Sequence, residues 1–344
     1  MEFLDWFWLA TTIVLAFGIS FFTIPAIISI ANKKNIADQP DNKRKLHVIN
    51  IPTLGGIAVF IAILIPYLSS GYLAGIENFG IIVAASLLLF TIGLFDDLIG
   101  VSALNKLYAQ CTAAMLLVLG GSFVIENLYG VLGIYALPFW LSALFGVVLI
   151  LTIMNGYNFI DGSDGLAASI GITASLLFGL IFYLSGFVSE AVFAFVISAA
   201  LFGFFFYNKP PAKIFMGDTG SLITGFFLSV LAIWLLKYIP DLYLWGIAAN
   251  PVWLLAILII PLYDTVRIIT IRLLEKTSPL ESDKRHIHHK LLEKGYSPFK
   301  VIAVLLGVNL LIFTLIVLLS PYLVNTHLAV LALIASLILL PVKR

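Results

Sequence analysis

The strongest chemical signal in the sequence is a set of two amides and two carboxylates spaced three residues apart: Asn155, Asn158, Asp161 and Asp164. They lie between two long apolar runs of a chain that is 61% hydrophobic. Each polar group beside a membrane core costs several kcal/mol of desolvation if it is left unpaired. Stability alone does not explain four such groups, so the segment predicts a site that binds something polar.

The even spacing of these residues does not make one helical stripe. On a continuous α-helix, each step of three residues drifts by about 60°, so Asn155 and Asp164 would face opposite sides. Gly156, Gly162 and Gly165 indicate a broken or looped backbone instead. Such a backbone would let all four polar side chains converge, whereas the alternative is a glycine-rich polar connector without function.

Two adjacent acids, Asp96 and Asp97, follow an apolar run that ends at Phe95. Neighbouring carboxylates repel each other, and in a weakly polar setting they are destabilising without a cation. Acids at the C-terminus of their own helix oppose the helix dipole, so capping of that helix explains them poorly. We therefore predict a divalent metal or a basic phosphate partner here, with Lys106 adding positive charge towards a diphosphate.

Asp218 lies at the start of another apolar run, three residues after Phe215. A carboxylate is a hard oxygen ligand suited to Mg²⁺, which uses one or two carboxylates together with substrate phosphates. Phe215 is placed to stack on a flat base. The first turn of a helix also favours Asp for capping, which is the alternative interpretation.

The first loop, from Ala31 to Asn50, contains Lys45 in a basic cluster and precedes the glycine pair Gly55-Gly56. One interpretation is a loop that sets membrane topology and attracts anionic lipid. The other is a phosphate site, with basic side chains at the mouth of a glycine turn.

The longest basic loop contains Arg285, His286, His288 and His289. Histidines this close together are compatible with zinc, but no cysteine accompanies them. Imidazole and guanidinium groups also donate hydrogen bonds to sugar and phosphate oxygens. We favour this substrate contact over zinc and over a solvated loop.

The elements that must position these residues are membrane helices. The chain has 344 residues, a mean hydropathy of +1.10 and 11% charged residues, against about 25% in soluble domains. Uncharged apolar stretches of roughly 17 to 25 residues predict membrane-spanning helices, and the alternation of a β-barrel is absent. The predicted spans are Trp6 to Ile30, Ile51 to Leu68, Phe79 to Phe95, Leu107 to Val124, Leu137 to Met154, Leu166 to Leu184, Ala191 to Tyr207, Ser221 to Leu236, Pro251 to about Leu274, Val301 to Leu319 and Leu328 to Val342.

The fold class is therefore an all-α polytopic membrane protein of eleven helices, or ten if the short last stretch does not span. We expect one integral membrane domain over residues 1–344. With eleven spans, every Lys and Arg of the 19 except Lys237 falls on one side, which the positive-inside rule makes cytoplasmic. The N-terminus is then outside, the C-terminus is cytoplasmic, and every polar cluster lies at the cytoplasmic face. The lone Cys111 excludes an intrachain disulfide, and a net charge of +1 argues against nucleic-acid binding.

Taken together, the motifs resemble those of the polyprenyl-phosphate N-acetylhexosamine-1-phosphate transferases, a glycosyltransferase 4 superfamily. The similarity covers essentially the whole chain and keeps the family's order of motifs. The matching elements are Pro52-Thr-Leu-Gly-Gly56, the paired aspartates Asp96-Asp97, the NxxDGxDGLA signature at Asn158 to Ala167, the magnesium aspartate Asp218 in Phe-Met-Gly-Asp, and the His-Ile-His-His form at His286 to His289.

Within this superfamily, the His-Ile-His-His form looks like the WecA and TagO branch, which uses UDP-GlcNAc. The MraY branch, which uses UDP-MurNAc-pentapeptide, typically has three consecutive histidines and a lysine soon after the paired aspartates. The resemblance implies transfer of GlcNAc-1-phosphate from UDP-GlcNAc to undecaprenyl phosphate with release of UMP, as the first step of a cell-envelope polysaccharide. It also implies a bacterial cytoplasmic (inner) membrane location and is compatible with a homodimer.

The resemblance further implies roles for single residues. Mg²⁺, with Mn²⁺ as an alternative, would be held by Asp218 with help from Asn158. Asp97 would orient or deprotonate the acceptor phosphate, with Asp96 beside it, although a covalent aspartyl intermediate is a rival mechanism. The implied substrate contacts are Lys45, Lys106, Asn155, Asn158, Asp161, Asp164, Phe215, Arg285, His286, His288 and His289.

The main rival from another class is a secondary transporter, since acids within a membrane often form ion pathways. Transporter sites lie near the bilayer midplane between repeats, whereas the acids here are predicted at one interface. MraY-type transfer of phospho-MurNAc-pentapeptide is the alternative within the family.

Overall fold

The computed structural model of the chain describes residues 3–34, 51–121, 123–275, 285–320, 324–326 and 328–331. Within these ranges the chain is mostly helical. The helices are α1 (Phe3–Lys33), α2 (Gly55–Leu68), α3 (Phe79–Ile99), α4 (Ala103–Met115), α5 (Phe139–Ile160), α6 (Leu166–Leu184), α7 (Val188–Asn208), α8 (Gly217–Tyr238), α9 (Val252–Ile257), α10 (Ile259–Glu275), α11 (Ile287–Glu293) and α12 (Pro298–Leu319).

Seven of these helices, namely α1, α3, α5, α6, α7, α8 and α12, are long and apolar enough to cross a membrane. The prediction of a polytopic helical membrane protein is therefore confirmed. Three predicted spans have a different form: α2 is shorter, α4 continues as a π-helical turn over Leu116–Gly120, and residues 251–274 divide into α9 and α10. The last predicted span lies almost wholly outside the described residues, so the count of ten or eleven stays a prediction.

Two small β-hairpins were not predicted from the sequence. Strand β1 (Asn127–Val131) pairs antiparallel with β2 (Ile134–Ala136), and β3 (Tyr243–Leu244) pairs with β4 (Ile247–Ala248). The turn of the first hairpin consists of Leu132 and Gly133, and both have left-handed backbone, with φ of 52° and 78°. Both hairpins join the ends of helices that lie away from Asp161 and Asp218, so they close the opposite end of the bundle.

Helix α8 is the centre of the structure. Every residue from Thr219 to Leu236 is buried, and the helix packs against α2, α3, α5 and α6. A helix that is apolar around its whole circumference either lies inside such a bundle or faces lipid, and the burial of α8 shows that it is the inner helix. The helix therefore holds its first residue pair, Gly217 and Asp218, in a fixed place relative to the surrounding helices.

Helix α3 comes unusually close to the start of α8. A Cβ added to Gly93 would lie 2.6 Å from Cα of Thr219 and 2.8 Å from its backbone nitrogen. One turn later on the same face of α3 stands Asp97. The absent side chain at Gly93 thus allows the approach that brings Asp97 to the first turn of α8.

This close approach predicts that Gly93→Ala destabilises the protein by about 1–3 kcal/mol, because the new methyl group would meet backbone that cannot move aside. Gly80→Ala is the matched control in the same helix, since a Cβ there has open space around it. Thermal unfolding in detergent should give a lower midpoint for Gly93→Ala only. Equal midpoints for the two variants would contradict the tight α3–α8 contact.

Candidate active site

Asp97 caps the N-terminus of α8. Its Oδ1 accepts a hydrogen bond from the Asp218 amide at 2.8 Å, and its Oδ2 accepts from the Thr219 amide at 3.0 Å and the Thr219 hydroxyl at 2.6 Å. Because α3 continues to Ile99, the acid opposes the dipole of its own helix but matches that of α8. Asp97 therefore caps α8 and not α3, the helix to which it belongs.

The glycine pair before α2 joins the same arrangement. The amides of Gly55 and Gly56 donate to the carbonyls of Phe215 and Met216 at 3.0 and 2.9 Å, and the Phe215 amide donates to Pro52 at 2.8 Å. This short backbone ladder fixes the segment that leads into α8. The glycine turn therefore contacts α8 directly, and Lys45, which was predicted to accompany it at a phosphate site, lies outside the described residues.

A single cation lies between two of the predicted acids. Lys106 Nζ is 2.9 Å from Asp96 Oδ2 and also pairs with Asp218 Oδ2. Burial works against the lysine charge, but the charge of Asp218 and the hydrogen bonds to both acids outweigh it, so the pKa of Lys106 is raised. The other oxygen of Asp218, Oδ1, accepts a hydrogen bond from Asn158 Nδ2 at 2.6 Å, and the same Nδ2 donates to the Ser221 hydroxyl at 2.7 Å.

The segment with four polar residues is half helix and half turn. Helix α5 continues to Ile160, so Asn155 and Asn158 stand on its last turns, while Asp161 and Asp164 lie in the turn before α6. The predicted break is correct for the turn, where Gly165 has a φ of 71°. It is wrong for Gly156, which lies inside α5. An added Cβ at Gly156 would lie 2.8 Å from Thr265 Oγ1, so this glycine allows close packing of α5 on α10.

The polar residues line two joined clefts. The first, of about 560 Å³, lies between α4, α5, α10 and the histidine segment, and the second, of about 390 Å³, lies between the ends of α3, α5 and α8. Asn158, Asp161 and Gly162 line both. Asn155 lines only the first cleft and Asp164 only the second. The four polar residues therefore line two connected clefts and do not meet at one point.

The two clefts differ in charge. The second cleft is lined by four acids, namely Asp97, Asp161, Asp164 and Asp218. Phe215 also lines this cleft. Burial raises the pKa of Asp161, and the negative charges of Asp218 and Asp97 raise it further. The first cleft is lined by Lys106, Arg272, His286 and His289 together with apolar side chains of Leu107, Leu151, Phe159 and Ile269. Cationic ligands thus suit one cleft, and anionic ligands with an apolar part suit the other.

The histidine segment begins α11 and lies partly at the first cleft. His286 and His289 line it, whereas His288 is 1% exposed and stacks against His286 with ring centres 5.8 Å apart. Burial, with the neighbouring charge of His289, lowers the pKa of His288 to about 3, so this ring is neutral at ordinary pH. Arg285 pairs with Glu275 and does not line either cleft.

Several residues of the site were not identified from the sequence. Gln110 exchanges two amide hydrogen bonds with Asn155, at 3.1 and 3.3 Å. Asn208 accepts from the Gly165 amide at 3.0 Å and donates to Ile214, which ties the turn after α5 to the segment before α8. Asp264 and Arg272 are buried in α10. The available signal was a polar side chain within or at the end of an otherwise apolar run.

The donor atoms of the site fit a magnesium ion bound together with a substrate. Within the ranges that the structure describes, no three His, Cys, Asp or Glu side chains come together to hold a metal ion alone. Asp96 and Asp218 nevertheless share one cation, the ammonium group of Lys106. One or two carboxylates completed by substrate phosphates are the usual protein ligands of Mg²⁺.

Comparison with known proteins agrees with these observations. The model of glycosyl transferase family 4 matches residues 79–236, which run from the start of α3 to the end of α8. A probable undecaprenyl-phosphate N-acetylglucosaminyl 1-phosphate transferase of Bacillus subtilis (strain 168) is 34% identical over 83% of this chain and 78% of its own. Decaprenyl-phosphate N-acetylglucosaminephosphotransferase of Mycolicibacterium smegmatis is 32% identical over 79% of this chain and 72% of its own. Undecaprenyl-phosphate alpha-N-acetylglucosaminyl 1-phosphate transferase of Escherichia coli (strain K12) is 30% identical over 78% and 72%.

The capping arrangement predicts that Asp97→Asn lowers stability more than Asp96→Asn. The amide at position 97 keeps one acceptor oxygen and places an NH₂ group against the amides of α8, which costs about 1 kcal/mol or more. Asp96 is the matched control, since it accepts hydrogen bonds from Val101 and Lys106 and none from the backbone amides of α8. Thermal unfolding of the two variants in the same detergent checks this, and a larger loss for Asp96→Asn would contradict it.

The buried His288 predicts a loss of stability in acid. The pKa of His288 is about 3 in the folded protein and 6.5 in the unfolded chain. Between pH 3 and pH 6.5 the ring is therefore protonated in the unfolded chain but not in the folded protein. Stability contributed by the neutral ring is complete above pH 6.5 and falls as the pH falls, by about 2 kcal/mol at pH 5. Thermal unfolding at pH 7.5 and 5 should give a smaller acid loss for His288→Gln than for the wild type. An identical acid loss would show that His288 is accessible to protons.

Proposed function

The chain belongs to glycosyl transferase family 4, and from this premise we propose that its donor is UDP-GlcNAc and its acceptor undecaprenyl phosphate. It is a multi-pass membrane enzyme that transfers GlcNAc-1-phosphate to a polyprenyl phosphate. The products of the proposed reaction are undecaprenyl-diphosphate-GlcNAc and UMP. This lipid-linked sugar would start the synthesis of a cell-envelope polysaccharide.

The observation that carries the proposal is the meeting of an acidic and a cationic cleft at Asn158 and Asp161. A phosphosugar transferase must hold two negatively charged substrates with their phosphates adjacent. The cationic cleft is also lined by apolar side chains of α4, α5 and α10, which suits a phosphate attached to a prenyl chain. The acidic cleft suits a nucleotide diphosphate that arrives with a divalent cation, with Phe215 as a surface for the base.

We propose Mg²⁺, with Mn²⁺ as an alternative, as the cation of the donor. Asp218 would hold the cation, because its two oxygens already contact the ammonium group of Lys106 and the amide of Asn158. Asp96, which shares Lys106 with Asp218, would be in reach of the cation. Asn158 would contribute its amide oxygen after rotation of the amide group. Bound there, the metal supplies charge neutralisation of the diphosphate. Lys106 would then be released from Asp218 and remain available for a phosphate oxygen.

The two paired acids have different proposed roles. Asp97 already accepts three hydrogen bonds from the start of α8, so it acts by holding Asp218 in place. Asp96 faces Lys106 and is the member of the pair that would contact the acceptor phosphate or the metal. The second pKa of a phosphate monoester is near 6, so the acceptor is largely ionised at pH 7 and positioning matters more than a strong base.

We also propose the topology and location of the enzyme. The proposal is a site at the cytoplasmic face of a bacterial inner membrane, with the N-terminus outside and ten or eleven helices in all, and the distribution of basic residues in the sequence supports this orientation. There the polyprenyl phosphate lies at the interface and the nucleotide sugar arrives from the cytosol. A homodimer remains part of this proposal through the resemblance to the family.

Two other functions give different expectations. MraY-type transfer would use UDP-MurNAc-pentapeptide, a larger donor. A secondary transporter would place its acids near the middle of the bundle, between repeats. Here Asp96, Asp161 and Asp218 stand at the ends of α3, α5 and α8, which favours chemistry at an interface.

Purified enzyme with Mg²⁺, undecaprenyl phosphate and radiolabelled UDP-GlcNAc should give a labelled lipid together with an equal amount of UMP. Product from UDP-MurNAc-pentapeptide alone would move the chain to the MraY-type reaction. No turnover with any UDP-sugar in a lipid environment would contradict the proposal.

Asp218→Asn should lower Mg²⁺-dependent turnover by at least about 100-fold, because one neutral oxygen replaces the carboxylate that would hold the metal. Asp241→Asn is the matched control, since Asp241 is exposed at the opposite end of α8. Near-normal turnover of Asp218→Asn, with both variants equally folded, would contradict the metal role.

A further inference from the structure

A buried carboxylate in α10 has no part in the reaction proposed above. Asp264 is 1% exposed, yet both of its oxygens are engaged. Oδ2 is 2.7 Å from His286 Nδ1, and Oδ1 accepts the Ile287 amide at 3.1 Å. Arg267 Nη1 is 3.5 Å from Oδ1. A single acid thus connects a helix of the bundle to the segment that contains the histidines.

The chemistry of this contact sets the tautomer of His286. An ionised carboxylate only accepts hydrogen bonds, so the proton between Asp264 and His286 belongs to Nδ1. The guanidinium group of Arg267 lies on the other side of the same carboxylate, with Nη1 3.5 Å from Oδ1. The neutral imidazole therefore carries no proton on Nε2, and this nitrogen presents a lone pair.

His286 also lies at the edge of the first cleft, with only Nδ1 engaged by Asp264. His286 lines the first cleft, and its ring lies against Phe159 with centres 5.3 Å apart. Within the part of the chain that the structure describes, no residue hydrogen-bonds His286 Nε2, and this atom is not among the fully buried polar atoms without partners. Nε2 is thus oriented by Asp264 and is left for a ligand in the cleft.

We propose that Asp264 is a positioning residue of this enzyme: it fixes His286 with a protonated Nδ1 and aims the lone pair of Nε2 into the first cleft. The ligand group that fits an imidazole lone pair is a hydroxyl or a protonated phosphate oxygen of a substrate. This inference rests on the proposed function for its kinetic consequence. The state of the ring itself can be measured without turnover.

A purely structural role of Asp264 would be the tie between α10 and α11. The two roles use different oxygens, because Oδ1 holds the Ile287 amide and Oδ2 holds the imidazole. Asp264→Asn keeps the size of the side chain and an oxygen for the Ile287 amide. It puts an NH₂ group against Nδ1, so the imidazole must carry its proton on Nε2 instead.

The first experiment is ¹⁵N NMR of the full-length protein labelled at histidine, which has five such residues. The His286 signals are assigned as those lost in His286→Asn. At a pH where the ring is neutral, the wild type should have His286 as the Nδ1–H tautomer and Asp264→Asn should have the Nε2–H tautomer. An Nε2–H tautomer in the wild type, or no change in Asp264→Asn, would overturn the proposal whether or not the enzyme transfers a sugar.

The second experiment is a double-mutant cycle on turnover in the same lipid environment. Asp264→Asn should lower kcat/KM by about 10- to 100-fold, the range seen when a histidine that binds a metal loses its outer hydrogen-bond partner. In the His286→Asn background the same change should cost less than about threefold, since it has no ring left to orient. If Asp264→Asn lowered kcat/KM by the same factor in that background as in the wild type, the proposal would be overturned. Asp241→Asn is the control for the loss of one negative charge. If His286→Asn has no measurable turnover, the tautomer measurement decides alone.

Discussion

The capping of α8 by Asp97 is the interaction on which the rest of the site depends. Helix α8 is buried from Thr219 to Leu236, and the amides of its first turn have no partner within the helix, so they need acceptors from elsewhere in the protein. Asp97 supplies two of these acceptors from α3, and the ladder from Pro52 to Gly56 holds the segment just before the helix. Asp218, at the second position of α8, is thereby placed beside Asp96, Lys106 and Asn158.

The charge distribution follows from this placement. Acids gather where α3, α5 and α8 end, and a helix N-terminus with one lysine only partly balances them. The basic side chains Lys106 and Arg272 line the cleft on the other side of Asn158 and Asp161, where α10 and the histidine segment approach α5. The diphosphate and divalent cation of the proposed reaction would occupy both sides at once, in agreement with two clefts that share residues.

Much of this arrangement could be predicted from the sequence because the polar groups stand out against apolar runs. The helix α6 has the bounds that its apolar run predicts, and Asp96, Asn158, Asp161 and Asp218 do come together. The partner of Asp97 could not be predicted, because capping across two helices depends on tertiary contact rather than on spacing. The same holds for Gly156, whose place inside α5 reflects packing against α10, and for Asp264, whose partner is 22 residues away.

The two β-hairpins illustrate a different reason for a missed element. Their strands have between two and five residues each, which is too short for a periodic pattern, and their turns rely on glycines that also suit ordinary loops. They close the end of the bundle opposite to the site. Hence the omission left the prediction of the site intact.

The fate of the β-phosphorus of the donor tests the central claim most directly. UDP-GlcNAc labelled at this phosphorus, incubated with the enzyme and undecaprenyl phosphate, should transfer the label to the lipid and leave unlabelled UMP. Label retained in released UDP would mean transfer of the sugar without its phosphate. That result would contradict a site built to join two phosphates.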